Sequence, residues 1–296
     1  MSLPPFTVIG GYLGAGKTTL VNHLLTAAHG LRIAVLVNDF GEVNVDAALI
    51  ASHDGDTMSL ANGCMCCSLT NGFAQAINAV LERKTQMDAI VIEASGVAEP
   101  GRIAQYGQMY DLPLDGVITV VDAERIRDQV ENKYVGEVVK HQLLQADIIL
   151  LNKSDCVAAE TLGDVRGWLA SAAPRIPVLE TARSNAPLDI LIGRGGSQQA
   201  TPDVPLRFTT TTNHEFLHQT WVIRRNTPIK RAAISRLAKQ MGSRIFRAKG
   251  FINLAEDPER RYLLQQVGQR WVIEEAGLWV SGAARTEIVC IGPRNG

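Results

Sequence analysis

No apolar run in these 296 residues approaches the roughly 20 needed for a helix to cross a bilayer, so no membrane partner is expected. The opening MSLPPFTVIGG lacks the charged-then-apolar pattern of a secretory signal, and a cytoplasmic protein is expected. Neither sign of charge is in excess. The 29 basic and 30 acidic residues leave a net charge of −1, and no extended basic patch argues for nucleic acid or anionic lipid. The short basic stretches Arg231–Arg236 and Arg244–Lys249 read as solvated surface. Cysteine is scarce and odd in number: five in all, three of them within four positions. That excludes a disulfide framework and points to metal binding or reactivity. Cys156 and Cys290 stand alone and are expected to be buried. Histidines are scattered. His23, His29, His53 and His141 read as surface or core, and His214 and His218 lie in a strand-like run. There is no internal repeat.

What is present is an alternation. Apolar, β-rich runs occur at Thr7–Ile9, Arg32–Val37, Ala89–Ile92, Gly116–Val121, Asp147–Leu151 and Pro177–Leu179. Helical patterns separate most of them, at Lys17–Ala28, Thr70–Arg83, Arg102–Gln108, Gly136–Gln145 and Ala158–Ala172. Such alternation predicts an α/β fold with a mostly parallel sheet, whose ligands lie beyond the carboxyl ends of the strands. After Leu191 the composition changes. Gly193–Pro205 is rich in Gly, Pro and polar residues and reads as a linker. Strand-like runs follow at Leu206–Thr212, Gln219–Ile223, Arg244–Ile252, Tyr262–Val267 and Thr286–Ile291, with a helix at Ile229–Met241. The expected organisation is a phosphate-loop domain over 1–192 and a small α+β domain over 206–296.

The first strand runs into GGYLGAGKTTL. Gly11 to Thr18 fits G-x-x-x-x-G-K-[ST], the loop that wraps phosphates between a strand and a helix. Gly11, Gly14 and Gly16 admit positive φ and bring backbone N–H groups close to an anion. Ala15 and Thr19 complete the wall. Lys17 is placed to bridge the β- and γ-phosphates, and the Thr18 hydroxyl to ligate Mg²⁺. The alternative is a glycine-rich turn before an ordinary helix, but a buried strand on one side and helical spacing on the other favour the phosphate loop. IILLNKSD supplies Asn152, Lys153 and Asp155 as N-K-x-D. A carboxylate at Asp155 can accept from N1–H and the 2-amino group of guanine; adenine has neither donor there, so GTP is the expected nucleotide. IEASG puts Glu93 just past a strand, where an acid can place Mg²⁺ or the attacking water, and Gly96, whose N–H can sense the γ-phosphate. NDFGEVNVD adds Asp39, Glu42 and Asp46, either an acidic ligand loop or a solvated turn. No arginine finger is evident in cis, so slow intrinsic turnover is expected.

LANGCMCCSL carries Cys64, Cys66 and Cys67. In an extended segment Cys64 and Cys66 project to one side and Cys67 to the other. Three thiolates fall short of a closed tetrahedral zinc site, so a fourth ligand such as Glu42, a histidine or water is needed. An incomplete shell suits transient holding. Buried packing or a redox pair are the other readings. Thiolate preference favours zinc over cobalt.

Taken in order, GGYLGAGKTTL, NDFGEVNVD, GCMCC, IEASGVAEP and LNKSD resemble the CobW-like family of GTPases, relatives of the urease and hydrogenase nickel-insertion GTPases. FRAKGFINL at Phe246–Leu254 resembles the start of that family's C-terminal domain. The resemblance covers nearly the whole chain. It implies GTP hydrolysis coupled to delivery of a metal, often zinc or cobalt, into a client metalloprotein. The chain lacks the histidine-rich loop of many relatives, so bulk metal storage is not expected. A homodimer is compatible with these residues but not specified by them. Two rival functions remain at this level: a GTP-dependent metal sensor that never hands metal over, and a small-molecule kinase, against which N-K-x-D argues.

Overall fold

The computed structural model describes residues 3–27, 31–38, 57–60, 77–78, 81, 87–193, 218–242, 244–279 and 284–293. Apart from the short stretch Pro174–Pro177, the chain divides into two compact units, one up to Gly195 and one from Gly196.

Along the first unit run β1 (Phe6–Gly10), α1 (Lys17–Ala27), β2 (Ile33–Asn38), β3 (Thr57–Leu60), β4 (Ala89–Glu93), α2 (Pro100–Met109) and β5 (Leu114–Asp122). Then come α3 (Ile126–Glu131), α4 (Gly136–Leu144), β6 (Ile148–Asn152), α5 (Ala159–Ala172), β7 (Val178–Glu180) and α6 (Leu188–Leu191). The strands form one sheet in the order β3-β2-β4-β1-β5-β6-β7, and every neighbouring pair is parallel. All residues of β1, β4 and β6 are buried. Continuous apolar runs such as FTVIG and IILLN suit strands covered on both faces. On one face Phe6, Val8, Leu36, Ile90 and Ile92 pack with Ile103 and Ala104 of α2. Pro100 opens α2 in its first turn, where a missing N–H costs nothing.

The second unit contains β8 (His218–Arg225), α7 (Arg231–Met241), β9 (Arg247–Asn253), β10 (Arg260–Val267), β11 (Arg270–Leu278) and β12 (Thr286–Pro293). Its sheet runs β11-β10-β9-β12-β8 and is antiparallel throughout. Ile234 of α7 packs with Ala248, Ile252, Leu264, Ile288 and Cys290, and Ala238, four residues on, is buried as well.

The α/β class with a parallel sheet and an antiparallel α+β unit matches the expectation, and several details differ. β3, β11, α3 and α6 were not expected. β11 is an edge strand with exposed Glu274 and Glu275, and an edge tolerates charges that blur the alternation. The helix expected from Ile229 begins at Arg231, because Ile229 is held in extended backbone by donating to Asn253 O at 2.9 Å and bridging Leu254. The strand expected from Arg244 begins at Arg247, and Phe246 N donates to Ile291 O on the way in. The expected strand Leu206–Thr212 and most of the linker lie outside the described residues, as does most of the expected helix Thr70–Arg83, in which Ile77, Asn78 and Leu81 are helical.

Candidate nucleotide site

The parallel register brings the chemistry of distant segments to one edge. Ile9 pairs with Glu93, Val37 with Glu93, Gly10 with Thr119 and Asp122 with Asn152. The carboxyl ends of β2, β4, β1, β5 and β6 therefore lie side by side, with the loop Gly11–Gly16 emerging from the central strand.

That loop needs its glycines for two separate reasons. Gly11, Gly14 and Gly16 have φ of 132°, 74° and 108°, where a side chain is strained. Space is also short: a Cβ on Gly11 would lie 2.2 Å from Val120 O, and one on Gly16 2.4 Å from Asn152 Nδ2 and 2.5 Å from Ser184 Oγ. α1 starts at Lys17, so the N–H groups of its first turn and its dipole face the loop. Lys17 is buried, and its Nζ donates to Tyr12 O at 3.3 Å across the loop. Ala15 is buried and Thr19 exposed.

Thr18 Oγ1 donates to Glu93 Oε1 at 2.8 Å. The two residues lie 75 positions apart in sequence, and Glu93 is buried. A hydroxyl and a carboxylate converging at a phosphate loop are the hard oxygen donors that Mg²⁺ takes, so the residues fit the ion. Beyond Glu93 the pairing with β1 runs one step further, Ala94 N donating to Ile9 O at 2.8 Å. A Cβ on Gly96 would meet Leu13 Cδ2 at 2.4 Å and Leu13 N at 2.9 Å, so Gly96 sits directly against the phosphate loop.

On the far side, Asn152 is buried and fully engaged. Its Nδ2 donates to Ala15 O and to Ser184 Oγ, both at 2.8 Å. Its Oδ1 accepts from Ser184 N at 2.7 Å and Thr181 Oγ1 at 3.3 Å. Ser184 Oγ donates in turn to Gly16 O at 2.9 Å. Lys153 adopts φ of 60°, and its Nζ donates to the buried Asp122 carboxylate at 2.6 Å. Asp155 is exposed on the turn Ser154–Cys156. Asp122, Thr181 and Ser184 were not picked out from the sequence. Their signals, an acid at a strand end and the turn Thr181–Asn185, are commonplace without the fold.

Glu42, Cys64, Cys66 and Cys67 lie outside the described residues, as do Asp39 and Asp46. Among the described residues no group of three or more His, Cys, Asp or Glu is placed to hold a metal. Cys290 is buried on β12, and burial pushes its thiol up to about 12, so it fills space as expected. Cys156, expected to be buried, is exposed, because it ends the turn that carries Asp155 to the open edge. Among the described residues no helix is long and apolar enough to cross a membrane.

Residues 5–180 match the family described as the CobW/HypB/UreG nucleotide-binding domain, and residues 218–295 match the CobW C-terminal domain. Similar proteins include a zinc chaperone CobW from Pseudomonas aeruginosa, 31% identical over 97% of this chain and 87% of that one. A zinc chaperone YjiA from Escherichia coli is 31% identical over 97% of this chain and 93% of that one. A crystal structure of a zinc-bound triple mutant of the YjiA GTPase has a TM-score of 0.50 and 26% identity, covering 99% of this chain and 95% of that one. With both domains matched in this order, the chain belongs to the CobW family of GTPases.

Proposed function

We propose that this protein hydrolyses GTP and uses the cycle to load a transition metal, zinc in preference to cobalt, into a client metalloprotein. Lys17 and the loop from Gly11 to Thr19 hold the phosphates, and Thr18 and Glu93 hold Mg²⁺, whose charge offsets that developing on the transferred phosphoryl group. The Gly96 N–H senses the γ-phosphate. Asp155 reads guanine from its exposed turn. Asn152, with both ends of its amide engaged, serves selection by holding the loop beneath the nucleotide, and Lys153 flanks the base from its tether on Asp122. The cargo metal is held by Cys64, Cys66 and Cys67 with Glu42.

One observation carries the coupling of metal to nucleotide. In the strand order β3-β2-β4-β1, the sensor strand β4 lies between the phosphate-loop strand and the two strands that lead to the metal residues. Asn38 and Leu60 are paired across β2 and β3. Glu42 follows the first by four residues, and Cys64 follows the second by four. Four residues reach at most about 14 Å, and adjacent strands stand about 4.8 Å apart, so both ligands are within reach of one ion beside Glu93. This support is independent of the zinc chaperone relatives. The test is a competition titration of zinc against a chromophoric chelator, in GDP and in a non-hydrolysable GTP analogue. The two affinities should differ by about 5–150-fold, the usual scale of such linkage, and Cys66→Ala should weaken zinc in both states. Equal affinities in the two states would refute delivery driven by hydrolysis. Coupling without zinc release to the chelator during GTP turnover would favour a sensor instead.

A further inference from the structure

Two glutamines three residues apart, Gln142 in α4 and Gln145 at its C-terminal cap, grip the chain around Gly96. Gln142 is 1% exposed. Its Nε2 donates to Gly96 O at 3.0 Å and to Ala98 O at 2.9 Å. Gln145 Oε1 accepts from Gly101 N, in the first turn of α2, at 2.9 Å. The segment 96–101 is thus pinned at three backbone groups from outside, while Gly96 is packed on Leu13 from inside.

The amide of Gln142 is held for this purpose rather than for packing. Its two donors face two carbonyls, so the reverse orientation would set oxygen against oxygen. In the orientation it adopts, Oε1 is buried and, among the described residues, accepts no hydrogen bond, a state that is costly wherever it occurs. Gln142 lines a cavity of about 10 Å³ behind the phosphate loop, with Val120, Ile126, Val139 and Leu143 as apolar neighbours and Thr119, Asp122 and Gln129 as polar ones. α4 itself is anchored, since Thr119 Oγ1 of β5 donates to Gln142 O at 3.0 Å. Three residues past its end, Asp147 ties the chain to Val117, accepting from Val117 N and donating to Val117 O.

We propose that Gln142, with Gln145, is a positioning residue for GTP hydrolysis, presetting the γ-phosphate-sensing loop in its docked position against the phosphate loop. The inference rests on the assignment of Gly96 as sensor. Holding the loop docked before nucleotide arrives lowers the ordering cost that a γ-phosphate would otherwise meet. Diphosphate binding, which uses the phosphate loop and Asp155, gains nothing from it.

The experiment compares wild type, Gln142→Met, Gln145→Met and Gly96→Ala in the full chain. It measures affinity for fluorescent GDP, affinity for a non-hydrolysable GTP analogue, and kcat and KM for GTP. Gln142→Met should keep GDP affinity within about twofold, which also shows that it folds. Its analogue affinity and kcat should fall by about tenfold, the scale of two buried carbonyls losing their donor. Gln145→Met should shift the same ratio in the same direction by about threefold, and it decides alone if Gln142→Met does not fold. Equal weakening of both nucleotides, or a wild-type ratio with wild-type kcat, would make the glutamines merely structural and overturn the proposal. Gly96→Ala separates the layers. If it loses triphosphate preference while the glutamine variants keep it, only the positioning role falls. If it keeps that preference, the sensor assignment falls and the proposal with it.

Discussion

Replacing Asn152 by alanine removes four hydrogen bonds at one buried point. The hydroxyls of Ser184 and Thr181 can turn to other acceptors, and Ser184 Oγ already donates to Gly16 O. Ala15 O and Ser184 N cannot, because their backbone is fixed. Each such orphan costs about 1–3 kcal/mol. Water entering the space left by the side chain offsets part of this, which leaves about 3 kcal/mol, or roughly 150-fold in a local opening equilibrium. The assay is amide hydrogen exchange on the unliganded protein, because a chain of two compact units need not unfold in one step. Exchange should accelerate about 100-fold across Gly14–Leu20 and Thr181–Asn185. The strands β8–β12 should be unaffected, and GDP affinity should fall by a similar factor. Exchange within twofold of wild type at both segments, with unchanged GDP affinity, would refute Asn152 as the brace between the phosphate and base sides.

Two further substitutions test the nucleotide assignment. Lys17→Ala should abolish GTP turnover while leaving the circular dichroism spectrum unchanged; normal hydrolysis in the folded variant would remove the phosphate-loop role. Asp155→Asn should weaken GTP and favour xanthosine triphosphate, whose 2-oxo group accepts from the new amide; because Asp155 is exposed, thermal stability should hold, and ATP binding by the wild type as tight as GTP would defeat the guanine reading.

The features legible in the sequence are those whose chemistry is contiguous. The turn after β1 declares itself because Gly11, Gly14 and Gly16, each at positive φ, stand at close fixed spacing between a buried strand and a helix. The buried parallel strands declare themselves as unbroken apolar runs. What escaped was chemistry that exists only once the chain has closed on itself. Gln142 lies 46 positions from Gly96, Ser184 lies 168 from Gly16, and Lys153 lies 31 from Asp122. Glutamine in a helix and serine in a turn carry no local signature, since their partners are backbone groups that any residue supplies. β11 escaped for a different reason: as an edge strand, it is not required to alternate cleanly.

The contact between Ser184 and Gly16 also sets a timetable for synthesis. A ribosome adding about 5–20 residues per second emits Gly16 roughly 10–30 s before Ser184, given their separation of 168 residues. Throughout that interval the phosphate loop is present as sequence but lacks the hydroxyl and the Asn152 amide that close over its backbone. A nascent chain cannot hold its nucleotide firmly until most of the first unit has emerged. Guanine nucleotide captured from the cell therefore reports on a finished first unit, and a chain stalled midway carries an exposed glycine loop with nothing to wrap.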